Sequence, residues 1–102
     1  MMDFEIFNGR VAADVELREV ATGKVANVRI ATDRPKKENE DKPVADFYNV
    51  TFWNKAAEVA ADRAKKGKKI IVRGYVMTRA YEDKEGKKRV STDYVGKEFV
   101  VA

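Results

Sequence analysis

Residues 54–67 read NKAAEVAADRAKKG, and here the apolar residues stop alternating and take up another rhythm. Ala56, Val59, Ala60 and Ala64 recur at spacings of three and four, the repeat that lines one face of a helix. Asn54 is a residue type that caps helix N-termini, and Gly67 one that follows helix ends, so the spacing predicts a short helix between them. On both sides of it the chain reads as strand.

Gly9, Thr22-Gly23, the stretch RPKKENEDKP, Lys66-Gly67-Lys68 and Glu85-Gly86 punctuate the rest. Between them apolar residues alternate, predicting strands at 4–11, 14–20, 24–32, 45–53, 69–81 and 89–100. The first two read as one long strand bent through Ala12 and Ala13, and AYEDKEGKKRV reads as a hairpin around Gly86. Three strands, one short helix and a final hairpin is the element order of an all-β, five-stranded Greek-key barrel with the helix between its third and fourth strands, the OB-fold. Closing into a barrel removes the exposed edges that such strands would otherwise present.

The 102 residues make one domain, 1–102, and the hydrophobic share of 44% is ordinary for a folded chain. No apolar run approaches the roughly 20 residues of a membrane span, and the acidic N-terminus MMDFEIFNGR does not read as a secretory signal. A cytoplasmic protein without a membrane partner is expected. The absence of Cys and His removes disulfides, thiol nucleophiles, imidazole bases and the usual zinc ligands. An enzyme is therefore the least expected class, and no catalytic residue, metal or cofactor is assigned. Lys and Arg number 21 against 17 Asp and Glu, and the resulting net charge of +4 leans toward a polyanionic partner. Residues 33–44 read as a charged flexible loop, either simply solvated or gripping a strand.

Alternation within the strands sharpens the function. In KIIVRGYVMTRAY (69–81), Ile70, Val72, Gly74, Val76, Thr78 and Ala80 share one face, while Ile71, Arg73, Tyr75, Met77, Arg79 and Tyr81 share the other. In ADFYNVTFW (45–53), Tyr48, Val50 and Phe52 oppose Phe47, Asn49, Thr51 and Trp53. In KVANVRIAT (24–32), Ala26, Val28, Ile30 and Thr32 oppose Val25, Asn27, Arg29 and Ala31. A barrel interior accounts for the first set of faces. The second set, with its large rings, calls for a partner.

Single-stranded nucleic acid fits such a face. Bases stack on aromatic rings at about 1–3 kcal/mol each regardless of sequence, and Arg holds phosphate with a planar fork. Phe47, Trp53 and Tyr81 are the candidate stacking residues and Arg10, Arg29, Arg73 and Arg79 the candidate phosphate ligands, with Asn49, Tyr75, Arg34, Lys36 and Lys37 beside them. A subunit interface would also use exposed rings, and Tyr75 suits either role. Arg63, Lys65, Lys66, Lys68 and Lys69 add charge, but cations in a last helical turn also complement the helix dipole.

With these residues in place, the chain resembles a family. GRVAADVELR, TGKVANVRIATDRP, ADFYNVTFWNKAAEVA and KKGKKIIVRGYVMTRAYEDKEGKKRVSTDYV are similar, in order and spacing, to the bacterial-type single-stranded DNA-binding proteins. Gly9-Arg10, Asp14-x-Glu16-Leu17-Arg18, Val25-Ala26-Asn27, Trp53-x-Lys55-x-x-Glu58, Lys66-Gly67 and Gly74 through Thr78-Arg79 carry the likeness as a collinear set. The resemblance implies an OB-fold protomer that forms a homotetramer through paired dimers. Such a protein wraps single-stranded DNA without sequence preference during replication, recombination and repair, in the cytoplasm at the nucleoid. It puts the stacking rings on Phe47, Trp53 and Tyr81, and a subunit-interface residue at Tyr48. Two departures stand out. Relatives carry another aromatic after the segment matching Ala31-Thr32, whereas this sequence continues Asp33-Arg34-Pro35-Lys36-Lys37, so contact is expected to lean on charge there. The family also continues into an acidic-tipped tail that recruits replication and repair proteins, while this sequence ends Val100-Val101-Ala102. The competing expectations are a dimeric primosomal replication-restart protein of the same fold and an RNA-binding OB module.

Overall fold

A computed structural model describes residues 2–34, 38, 41 and 44–102. Lys36, Lys37 and most of the expected loop at 33–44 lie outside the described residues. The elements are β1 (Met2–Val11), β2 (Leu17–Val20), β3 (Gly23–Arg34), β4 (Val44–Trp53), α1 (Asn54–Arg63), β5 (Lys69–Glu82) and β6 (Lys88–Val101). Strand neighbours run β1-β5-β6-β4-β3-β2, and a further β1–β3 pairing closes five of the six strands into a ring. This arrangement, with α1 between β4 and β5, is consistent with the expected OB-fold barrel. The sixth strand arises because the bent first strand is broken, its pairing with β3 resuming only at Leu17.

β1 can serve two neighbours because it changes partners along its length. Met2–Ile6 pairs with β5 alone; after an irregularity between Ile6 and Gly9, the strand pairs with β5 and with β3. Gly9 stands at that crossing, where a Cβ would lie 2.6 Å from an Ile30 methyl, so a side chain there would force the strands apart. Inside the ring the alternation appears as packing. Val28, Ile30, Val50, Phe52, Ile70 and Val72 are buried with Ile6 and Val11, and burial of a residue of this size contributes about 1.5–3 kcal/mol.

The helix seals the barrel with small residues, and its details correct the sequence reading. The buried positions are Ala57, Ala60 and Ala64, not Ala56 and Val59, which are half-buried. Asn54 does not cap the helix: Trp53 occupies the N-cap position without a side-chain hydrogen bond, and Asn54 is the first helical residue at φ 53°. Gly67 is likewise not the C-cap, which is Ala64; it lies in the following turn at φ 90° and donates its N–H to the Val11 carbonyl at 2.8 Å.

β5 and β6 outgrow the barrel. Among the described residues β1 reaches β5 no further than Met2 opposite Val76, and beyond that pair the hairpin is a two-stranded arm. Thr78 and Ala80, expected on the inner face, are consequently exposed. The departure is marked by a register shift in which Arg73 faces Glu98 but Gly74 faces Gly96, leaving Lys97 as an extra residue. A Cβ on Gly74 would collide with the Val95 carbonyl, and one on Gly96 with the Phe52 ring.

Candidate nucleic-acid interface

Residues opposite one another in an antiparallel pair point to the same side, so the strand registers determine what lies on the outer face of β3 and β4. Four rows result. Lys69, Arg10, Ala31 and Phe47 form the first; Arg29 and Asn49 the second; Asn27 and Thr51 the third; Arg18, Val25 and Trp53 the fourth. Three Arg and one Lys thus share a surface with two large rings, and no acidic residue stands in these rows. The rings are well presented, with Phe47 at 52% and Trp53 at 40% exposure. Successive rows are about 7 Å apart, so roughly 20 Å separates Phe47 from Trp53.

Polar contacts hold this surface in shape. The Arg29 guanidinium carbon lies 4.5 Å from the centroid of the Phe47 ring, a cation–π arrangement. Thr51 donates its hydroxyl to Asn27 Oδ1 at 2.8 Å, joining the two strands midway. Arg10 donates to the Gly67 carbonyl at 2.6 Å, fixing the turn after the helix while its side chain remains exposed.

The arm continues the outer surface. Thr51 is in register with Val95, and Val95 with Tyr75. Farther out, the same face of β5 and β6 carries Met77 with Asp93, Arg79 with Ser91, and Tyr81 with Arg89. Tyr81 is 49% exposed. Asp83 rigidifies the tip: its carboxylate accepts the Glu85 and Lys87 backbone N–H groups at 2.9 Å and Arg89 Nε at 3.0 Å. These donors, Arg89 first, hold the Asp83 carboxyl below its ordinary value.

The registers place strand-borne rings and guanidinium groups along two ribbons that meet at Thr51 and Val95. A profile described as the single-strand binding protein family matches residues 4–101. The chain belongs to the single-strand binding protein family. It is 33% identical over 102 residues to single-stranded DNA-binding protein 1 of Streptococcus pyogenes, covering 99% of this chain and 78% of that one. It is 35% identical over 100 residues to a single-stranded DNA-binding protein of Streptococcus pneumoniae, 97% of this chain and 64% of the relative. It is 38% identical over 96 residues to single-stranded DNA-binding protein 3 of Listeria innocua, 93% and 60%. The chain spans less than two thirds of the latter two relatives.

Within this member of the single-strand binding protein family, not every sequence-selected residue joins the aromatic surface. Phe47, Asn49, Trp53 and Arg29 are on the outer face of β3 and β4 with Arg10 beside them on β1, and Arg79 and Tyr81 are on the arm. Arg79 is exposed, with its Nε 3.4 Å from Asp93. Arg34 shares its side of β3 with Thr32 and Ile30, opposite to Arg29, and its Nε lies 3.8 Å from Asp46. Arg73 sits between Glu5 and Glu98 in a three-strand ladder, with Nη2 donating to both Glu98 oxygens at 2.9 Å, and this pairing raises its pKa. Tyr75 lies next along β5, opposite Asp3 and Val95, with Lys97 Nζ 5.7 Å from its ring centroid. Tyr48 is half-buried at the barrel mouth, edge-on to Tyr94 at 5.6 Å, and Tyr94 in turn meets Phe4 at 5.3 Å.

Arg18 and Arg89 are two basic residues of these surfaces that the sequence reading did not select. Both could be found by counting back from a turn: Val20 paired with Gly23 puts Arg18 opposite Val25, and Glu82 paired with Lys88 puts Arg89 opposite Tyr81. Among the described residues no cluster of three or more carboxylates is placed to hold a metal, and no helix is long and apolar enough to cross a membrane.

Proposed function

We propose that the chain binds single-stranded DNA, as its relatives are named for doing, that it does so without sequence preference, and that it protects the strand during replication, recombination and repair in the cytoplasm. The observation that carries this reading is the outer face of β3 and β4, where Phe47 and Trp53 stand among Arg10, Arg18, Arg29 and Lys69 with no carboxylate between them. Bases stack on Phe47, Trp53 and Tyr81, while the Arg and Lys side chains take phosphates. Arg29 resting on Phe47 is compatible with this. An exposed cation–π contact contributes about 0.5–1 kcal/mol and a stacked base about 1–3 kcal/mol, so an arriving base displaces the guanidinium toward the backbone. Arg79 and Arg89 flank Tyr81 on the arm, each also close to a carboxylate, Asp93 at 3.4 Å and Asp83 at 3.0 Å.

Arg73 and Tyr75 we assign to assembly instead. Arg73 has a carboxylate on each side, which leaves its surroundings unattractive to a polyanion. It borders an apolar patch of Phe7, Ile71 and Val100, exposed by 68%, 48% and 65%, over a shallow groove of about 200 Å³. A second surface is the Met2–Ile6 stretch of β1, which pairs with β5 on one side only. Tyr48 lines a cavity of about 380 Å³ beside that edge, with Phe4 and Tyr94. Two separate self-associating surfaces make dimers and then pair them, which supports the homotetramer.

Titration of oligo-dT against the emission of Trp53, the sole tryptophan, tests the binding face. Saturable quenching is expected; constant emission under saturating DNA removes Trp53 from the interface. Competition with oligo-U tests the sugar, and preference for the ribo form would transfer the protein to RNA.

A further inference from the structure

Trp53 ends β4 in an extended conformation, at φ −119° and ψ 145°, and the helix starts at the next residue. The whole change of direction falls on Asn54, whose φ of 53° is the only positive value at a non-glycine among the described residues. Asn is among the few residue types that accept this left-handed conformation readily. Its carboxamide does not stabilise its own helix. Instead Asn54 Oδ1 accepts the backbone N–H of Lys24 at 3.2 Å, reaching across to the turn that opens β3. Gly23 makes room for this reach: its φ is 137°, and a Cβ there would collide with the Asn54 side-chain oxygen. Lys24 Nζ pairs with Glu58, four residues farther along and on the same helical face as Asn54. One residue of β3 therefore ties down the start of the helix at two points one turn apart. Val25, directly after Lys24, is the cross-strand partner of Trp53.

We infer that Asn54 is a positioning residue for Trp53, its left-handed backbone and its bond to Lys24 holding the indole on the outer face in the unbound protein. This rests on the binding role proposed for Trp53. Preorganisation of this sort improves binding without adding a contact, because the ring need not be ordered when DNA arrives.

The test compares wild type with Asn54→Gly, Asn54→Ala, Asn54→Asp and Glu58→Gln by fluorescence anisotropy and iodide quenching of Trp53 in free protein, together with oligo-dT affinity at several salt concentrations. Asn54→Gly keeps the backbone conformation but loses the acceptor; it is expected to lower the anisotropy, increase the iodide quenching and weaken affinity roughly three- to tenfold with an unchanged salt slope. Asn54→Ala, strained as well, shifts further. Asn54→Asp, which keeps both an acceptor and left-handed tolerance, restores the free-state anisotropy, whereas Glu58→Gln lowers thermal stability without moving the Trp53 signals. Wild-type anisotropy and affinity in folded Asn54→Gly would overturn the inference. The failure of the binding reading looks different: wild-type Trp53 emission would ignore DNA while the free-state anisotropies still diverged.

Discussion

The barrel has two outer faces that began as the same pattern. In the four rows from Phe47 to Trp53 on β3 and β4, rings and cations stand together without acid; on β1, β5 and the end of β6, apolar side chains stand beside a ladder of Glu5, Arg73 and Glu98. Both satisfy the rule of alternation, and both mix aromatic or aliphatic groups with Arg. What separates them is the residue across the strand boundary. Arg29 faces Asn49 and leans on Phe47, and so keeps its charge for a ligand. Arg73 faces a carboxylate on either side. This difference in direct cross-strand neighbours is what assigns Arg29 and Arg73 to different faces.

The strongest challenge to this division comes from Gly74, where the two faces meet at the register shift. Gly74→Ala presses a methyl into the Val95 carbonyl and should cost about 2–3 kcal/mol in urea unfolding, impairing assembly and binding together. If only one of the two fell, the faces would be more independent than the shared strand implies. Next, Phe47→Ala and Trp53→Ala should each weaken oligo-dT binding by about 1–3 kcal/mol while leaving its salt dependence and the oligomer mass unchanged. Ile71→Glu should do the reverse, reducing the assembly in light scattering with little change in affinity per protomer for a short oligonucleotide. A finer separation is between two arginines: Arg29→Ala should lessen the log–log salt slope by about 0.7, the value of one phosphate on a single strand, whereas Arg73→Ala should leave it alone.

The smallest expected effect concerns pH. Lys24 holds the Glu58 carboxyl below its ordinary 4.5, and Arg89 does the same for Asp83, ordinarily 3.8. A depressed folded-state pKa contributes stability above the unfolded value and loses it as pH falls through the folded one. Thermal midpoints should therefore hold between about pH 6 and about pH 8 and drop below about pH 4.5, with Glu58→Gln softening the acid limb.

Strand positions and the helix were legible because their signals are local. Val28, Ile30, Val50, Phe52, Ile70 and Val72 alternate as buried strands must, and all six line the core. The outward position of Phe47, Trp53, Arg29 and Asn49 followed from the same parity. Neighbours across a strand boundary are not written in parity, and that is where the reading of 69–81 fell short: the pairing of β1 stops opposite Val76, so one strand belongs to two environments and its face changes character midway. Asn54 misled for a related reason. As a residue type it suits both a helix cap and a left-handed corner, and only the proximity of Lys24, distant in sequence, decides between them.

A barrel that is filled has one further consequence. Its interior is occupied by Phe52, Ile30 and their neighbours, and the three rings proposed to stack on bases stand on the outside of the wall or on the arm. Nothing has to be threaded. A polymer laid against Phe47, Trp53 and Tyr81 engages from the side, so a stretch in the middle of a very long strand, or the inside of a closed circle, is as reachable as a free end.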